Sequence, residues 1–258
     1  MQNTIDTIEL RTWITECGDL ARRQFNYAVG RRKADLSFVT ETDLAIEKLL
    51  VTRLLYRYPD YGILAEEGTS HAIDREFVWA LDPLDGTASF IAGLPLWGIS
   101  LGLLRHGQPY FGMIYLPLLD ACYWAGPDGP AYYNGISTTV LAPSHWHSDD
   151  WICVPSNAHR RFTIDFRGKT RCLSGTAASF CYVARGSAIA ALIDHVSLWD
   201  LVGGLAILRA AGGNAINLDG TPFDITTLLD RTNHSNALLV GAADQLERLR
   251  PAIKKLAS

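Results

Sequence analysis

The chain has 258 residues, 48% of them hydrophobic and 19% charged, and a formal net charge of −4. That composition suits a globular enzyme with a sizeable core and excludes a disordered chain. The missing basic excess argues against a nucleic-acid partner, the missing polybasic run against a membrane surface, and no apolar stretch reaches the roughly 20 residues that span a bilayer.

Met1 to Leu10 is polar and mixed in charge, unlike a secretory signal. Residues 4–25 are expected to form a helix, with Ile5, Ile8, Trp13, Cys17 and Leu20 on its apolar face. Gly30-Arg31-Arg32-Lys33 reads as a charged loop. A second helix is predicted to start near Thr40, to bury Ile46, Leu49, Leu50 and Leu54, and to end at Pro59. Gly62 to Ala65 reads as a short strand leading into Glu66 and Glu67. Phe77 to Leu81 reads as a buried strand that stops at Asp82-Pro83.

Residues 97–104 and 110–116 predict two antiparallel strands joined at Gly107, and Ala121 to Ala125 predicts another. Gly126-Pro127-Asp128-Gly129-Pro130 and Asn134-Gly135 are turn signals. Leu141 to Asp150 reads as a link between two halves, 1–140 and 141–258, of one compact unit. Beyond it, strands are expected near 151–154, 170–173 and 237–240, and helices at 176–186, 200–211 and 244–256. The mixture, with its antiparallel turns, points to an α+β fold rather than a doubly wound or an all-β one. Cys17, Cys122, Cys153, Cys172 and Cys181 form no C-x-x-C pair and lie in mostly apolar surroundings, the pattern of reduced, largely buried thiols in a cytoplasmic protein.

The most informative segment is Asp82-Pro83-Leu84-Asp85-Gly86-Thr87. An apolar strand delivers two carboxylates into a turn that Pro83 stiffens and in which Gly86 allows close backbone approach. Such a turn can bind Mg²⁺, which takes oxygen ligands, and the N–H groups of Gly86 and Thr87 can hold a phosphate oxygen if a helix starts there. Each acidic position also has a plainer reading. The segment can be an ordinary turn, Asp200 a helix N-cap, Asp43 the partner of Thr40 in a capping box, and Glu67 a solvated charge. Together, however, Asp43, Glu66, Glu67, Asp82, Asp85 and Asp200 all sit at the ends of predicted elements. Carboxylates that converge repel one another unless cations offset them.

Lys33-x-Asp35-x-Ser37-x-Val39-Thr40-x-x-Asp43, Ala65-Glu66-Glu67, Trp79 to Thr87, Ser174-Gly175-Thr176-Ala177-Ala178, and Leu198-Trp199-Asp200 running into Ala210-Ala211-Gly212-Gly213 follow one another over nearly the whole chain. In this order they resemble the motifs of the inositol monophosphatase family, within the lithium-sensitive, metal-dependent phosphatases. Ala65 stands where that family has Gly. The resemblance implies a layered αβαβα sandwich and two to three Mg²⁺ ions per site. Glu66, Asp82 and the Leu84 carbonyl would hold one ion. Asp82, Asp85 and Asp200 would hold a second, and a third would lean on Glu66. Asp43 and Thr87 would orient and deprotonate the attacking water, with Glu66 also in the catalytic set. Gly86 and Thr87 would bind the phosphate. Asp85, Gly175, Thr176, Ala177 and Asp194 would contact the substrate.

The resemblance further implies a phosphomonoesterase that cleaves a small polyol phosphate, foremost inositol monophosphate, by metal-activated water, and often a homodimer. Asp194 lies 18 residues after Thr176, the place of a hydroxyl-binding Glu in the inositol phosphatases. Ser89-Phe90-Ile91-x-Gly93-x-Pro95-x-Trp97-Gly98 resembles instead the histidinol-phosphate phosphatases, although Ala88 replaces their usual Arg. The stretch can equally be core. A reading of another class, a partner- or RNA-binding regulatory protein, draws on the basic triplet Arg31-Arg32-Lys33, which can also be a solvated loop.

Overall fold

A computed structural model describes residues 5–229, 234 and 236–256. Asp6 accepts the N–H groups of Ile8 and Glu9 and so starts α1, Thr7–Gln24. Its buried stripe is Leu10, Ile14, Cys17, Gly18 and Ala21. Of the five residues expected there, Cys17 alone is buried, and Ile8 is 80% exposed. The helix is rotated because small residues let it approach the sheet: a Cβ on Gly18 would stand 2.5 Å from the Tyr115 ring. Where a loop is predicted, β1 (Arg31–Arg32) and β2 (Phe38–Val39) pair as a small antiparallel hairpin. Thr40 then caps α2, Glu41–Arg57, which buries Ile46, Leu50 and Leu54 as expected and leaves Leu49 half-buried.

Next come β3 (Gly62–Ala65), β4 (Ser70–His71), β5 (Phe77–Asp85), α3 (Thr87–Ile91), β6 (Gly98–Arg105), β7 (Gln108–Leu116), β8 (Ala121–Ala125), β9 (Ala131–Tyr133) and β10 (Ile136–Thr138). They form an eight-stranded sheet in the order β10-β9-β8-β7-β6-β5-β3-β4, antiparallel except between β3 and β5. The predicted turn at Asn134-Gly135 joins β9 to β10, two short strands that the sequence reading missed.

The remaining elements are β11 (Trp151–Cys153), α4 (Ala158–Arg161), β12 (Phe162–Ile164), β13 (Lys169–Arg171), α5 (Thr176–Ala184), β14 (Ala190–Ile193), α6 (Leu198–Ala210), β15 (Asn214–Asn217), β16 (Leu238–Gly241), α7 (Ala243–Leu249) and β17 (Ile253–Lys255). A five-stranded sheet runs β13-β11-β14-β16-β15. The expected helix over 244–256 ends at Leu249, since Pro251 lacks the N–H that an added turn needs; the chain then pairs as β17 with β12.

Strand alternation sorts the apolar side chains into layers. On β5, Trp79 and Leu81 face a core shared with Leu10 and Ile14 of α1 and Ile46 and Leu50 of α2. Val78 and Ala80 face the opposite core, shared with Phe180 of α5 and Leu201 and Leu205 of α6. That second core reaches the five-stranded sheet through Ala191, Ile193, Leu238 and Val240. On the far side of this sheet, Ala190, Leu192 and Leu239 pack with Ala158 of α4 and Leu246 and Leu249 of α7. The order is therefore helices, sheet, helices, sheet, helices: the expected αβαβα sandwich. Cys17, Cys122, Cys153 and Cys181 are buried and Cys172 is exposed, all as free thiols. No helix among the described residues is long and apolar enough to cross a membrane.

Candidate active site

A register shift brings the first two carboxylates together. Asp82 pairs with Ser100 and Asp85 with Gly98, so three steps along β5 match two along β6. In a regular strand, residues three apart point to opposite faces; one extra residue returns both to the same face. Pro83 sits inside this bulge, where its missing N–H costs no ladder bond. Asp82 Oδ1 accepts the Leu84 N–H at 2.9 Å. Gly86, at φ +91°, turns the chain into α3, whose first N–H groups have no intrahelical acceptor.

Two neighbouring elements complete the cluster. Glu66 follows β3, and its N–H reaches the Leu81 carbonyl at 3.1 Å. Asp200 is the third residue of α6 and accepts the Ser197 N–H at 2.7 Å, in a capping box. One carboxylate oxygen from each of Glu66, Asp82 and Asp200 lies within 4.8 Å of the other two. Asp85 stands beside this triad with both oxygens bonded to the start of α5, from Thr176 N–H at 3.1 Å and Ala177 N–H at 2.8 Å. Gly175 makes this possible, since a Cβ there would lie 2.1 Å from Asp85 Oδ2.

Asp43 caps α2 in the same style. Its Oδ2 accepts the Thr40 N–H at 2.8 Å and the Thr40 hydroxyl at 2.5 Å, while its Oδ1 lies 3.0 Å from the Thr87 hydroxyl. Thr87 Oγ1 is also 3.0 Å from the Leu84 carbonyl oxygen, so one proton has two acceptors. Lys33 Nζ donates to Glu66 and to Glu67, at 2.6 Å each. Glu67 is thus an inward-facing acid, 4% exposed at its side chain, not a solvated charge. Glu47 accepts the N–H groups of Glu67 at 2.7 Å and Thr69 at 3.1 Å and so fixes the turn after β3. The sequence reading missed Glu47, although an acid one position after Ile46 on a helix that buries Leu50 and Leu54 is itself a signal. The rest of the basic triplet is spent locally: Arg31 pairs with Glu41 and Arg32 stacks on Phe38.

The electrostatics follow from burial. Burial pushes the Asp82 and Asp200 carboxyls well above the ordinary range, and the charge of Glu66 adds to it. Burial also raises Asp85 to about 6 against its two N–H bonds, and Glu67 to about 7 against Lys33. Asp43 is raised by burial and held back by hydrogen bonds from Thr40 and Thr87. Burial lowers the Lys33 pKa, but Glu66 and Glu67 outweigh it and leave a firm cation. An all-oxygen set of mutually repelling carboxylates, Asp82 buried and Glu66, Asp85 and Asp200 half-buried, fits hard divalent cations.

Beside this cluster lies a cavity of ≈ 160 Å³, lined among others by Ser156, Ser174, Gly175, Thr176 and Asp194. Gly175 and Thr176 belong to both regions. Ser174, in the cavity lining at φ +72°, and His195, next to Asp194 at φ +53°, hold left-handed backbone, a strain that needs surrounding structure to persist. The Asp194 side chain is 1% exposed and has Arg161 Nε 3.0 Å from Oδ2. Within Ser89 to Gly98, Phe90 and Trp97 are buried with ring centroids 4.9 Å apart, and both pack on Phe25.

A sequence model of the inositol monophosphatase family matches residues 6–250. The inositol-1-monophosphatase ImpA of Mycolicibacterium smegmatis is 34% identical over 213 residues, 75% of this chain and 75% of that protein. A fructose-1,6-bisphosphatase/inositol-1-monophosphatase of Aquifex aeolicus is 30% identical over 207 residues, 76% of this chain and 78% of its own length. The fold matches that of the Thermotoga maritima IMPase, with a TM-score of 0.84 at 22% identity over 96% of both chains.

Proposed function

This chain belongs to the inositol monophosphatase family, whose members hydrolyse phosphate monoesters, and from that premise we propose that it is a Mg²⁺-dependent phosphatase of a small polyol phosphate, foremost inositol monophosphate. The observation that carries this reading is the triad of carboxylate oxygens from Glu66, Asp82 and Asp200, within 4.8 Å of one another. Asp85 and the Leu84 carbonyl complete the set of residues that would hold two to three ions. Mg²⁺ bound there supplies positive charge for the phosphate and the leaving oxygen and makes a water acidic enough to ionise near neutrality.

The chain's own residues do the rest. The Thr87 hydroxyl gives its proton to Asp43 and turns a lone pair toward the attacking water, whose proton it relays. Burial raises Asp43's affinity for that proton. The N–H groups of Gly86 and Thr87 take a phosphate oxygen at the start of α3. Water forms a new bond to phosphorus as the ester P–O bond breaks, the leaving alkoxide takes a proton from solvent water, and Asp43 returns its proton to solvent; no phosphoenzyme is needed. Gly175, Thr176, Ala177 and Asp194 receive the alcohol, with Asp194 accepting a hydroxyl. On the family resemblance and the free thiols, we read the enzyme as a cytoplasmic homodimer.

Initial rates of phosphate release test this reading. The substrates are inositol 1-phosphate, histidinol phosphate, 3′-phosphoadenosine 5′-phosphate and fructose 1,6-bisphosphate, each with Mg²⁺ and with chelator. The expected result is fastest release from inositol 1-phosphate, lost in chelator. Full activity in chelator defeats the metal mechanism, and preference for another ester moves the substrate.

A further inference from the structure

The Asp194 side chain lines the cavity and is 1% exposed, yet neither carboxylate oxygen has a hydrogen-bond partner among the described residues. Arg161 Nε is 3.0 Å from Oδ2, but off the line that a hydrogen bond requires. The charges are therefore paired while the acceptor lone pairs stay open. A buried carboxylate left in this state is costly unless a ligand supplies donors.

We propose that Arg161 is a specificity-determining residue: by neutralising the Asp194 carboxylate, it sets this end of the cavity to take uncharged hydroxyl groups and to reject an ammonium group. The inference rests on the functional reading above and deepens it. A substrate hydroxyl gains a bond to an ionised acceptor, which is stronger than a bond between neutral groups. The hydroxyls that line the same cavity, those of Ser156, Ser174, Thr176 and Ser179, are neutral and suit a polyol as well. A substrate ammonium finds an acid whose charge is already met and must sit beside the guanidinium.

The test compares kcat/KM for inositol 1-phosphate, for histidinol phosphate as the amino-alcohol ester, and for 4-nitrophenyl phosphate, which carries neither hydroxyl nor amine. The unmodified chain is expected to prefer the polyol by on the order of tenfold. In Arg161→Gln the ratio should move about tenfold toward the amine, mainly through KM, with 4-nitrophenyl phosphate turnover within about twofold. Arg161→Lys, which keeps the charge, should keep the preference. If Arg161→Gln fails to fold, Asp194→Asn decides: it leaves Arg161 unopposed and should reject the amine more strongly. An unchanged ratio in folded Arg161→Gln, or a gain of amine preference in Asp194→Asn, overturns the inference while the phosphatase reading stands. No release from any of the three esters by the unmodified chain defeats that reading, and this inference with it.

Discussion

The N-termini of α2 and α6 are built alike and serve differently. In each, a Thr or Ser caps the helix and an Asp three residues later accepts the cap's N–H, at 2.8 Å for Thr40–Asp43 and 2.7 Å for Ser197–Asp200. What differs is the company around the acid. Asp43 meets hydroxyls, those of Thr40 and Thr87, and their hydrogen bonds oppose the rise in its pKa. Asp200 meets carboxylates, and the charge of Glu66 adds to the effect of burial. On the proposed reading, the same local device holds one acid to accept a proton and the other to hold a cation. A capping role and the proposed chemical role are not rivals, because the cap bond orients the same carboxylate.

Substituting each acid by Asn sharpens the contrast, since Asn keeps one acceptor oxygen for the cap. Asp200→Asn removes a charge from the cation site and should lower kcat on the order of 1000-fold, with weakened Mg²⁺ binding in calorimetry. In chelator the variant should be at least as stable as the unmodified chain. A carboxyl whose folded pKa is raised binds its proton more tightly when folded, so its contribution to stability falls as pH rises from about 4. The advantage of Asp200→Asn in thermal unfolding should therefore grow toward neutral pH. Asp43→Asn should lower kcat by about 100-fold, the scale of one general base, and leave Mg²⁺ binding unchanged. Equal losses of metal binding in the two variants would erase the distinction between the sites.

The start at Thr40 was legible in the sequence, because a cap is a short-range pattern; the other helix was expected from residue 200 with Asp200 as a possible cap, whereas Ser197 caps it and Asp200 is its third residue. The Asp82 to Thr87 turn was legible too, but not the reason that its two acids cooperate. That depends on the bulge opposite Ser100 and Gly98, residues brought there by strand pairing. Lys33, Glu47 and Arg161 act on residues 20 or more positions away, Lys33 on Glu66, Glu47 on Glu67 and Arg161 on Asp194. β14 escaped notice because Ala190-Ala191-Leu192-Ile193 has little strand preference; its partners β11 and β16 make it a strand. The register of α1 was misjudged because the small Gly18 and Ala21 were not read as part of the buried stripe, which they complete with Leu10, Ile14 and Cys17.

The smallest effect separates the caps themselves. Thr40→Ala and Ser197→Ala each remove a capping hydroxyl and should each cost about 1 kcal/mol of stability. For a chain of this size that is a fall of about 2–4 °C in Tm. On stability alone the two variants should look the same. In turnover they should differ, because the Thr40 hydroxyl donates to Asp43 Oδ2 at 2.5 Å and so holds the very carboxylate that faces Thr87. Thr40→Ala frees that oxygen and raises the basicity of Asp43, so kcat should change and its acid limb should move to higher pH. Ser197→Ala should leave the pH profile of kcat where it is, because the Asp200 cap bond comes from the backbone N–H, which the substitution keeps. Matching pH profiles in the two variants would mean that Asp43 and Asp200 carry the same role, and the two helix ends would have to be read as one cation site.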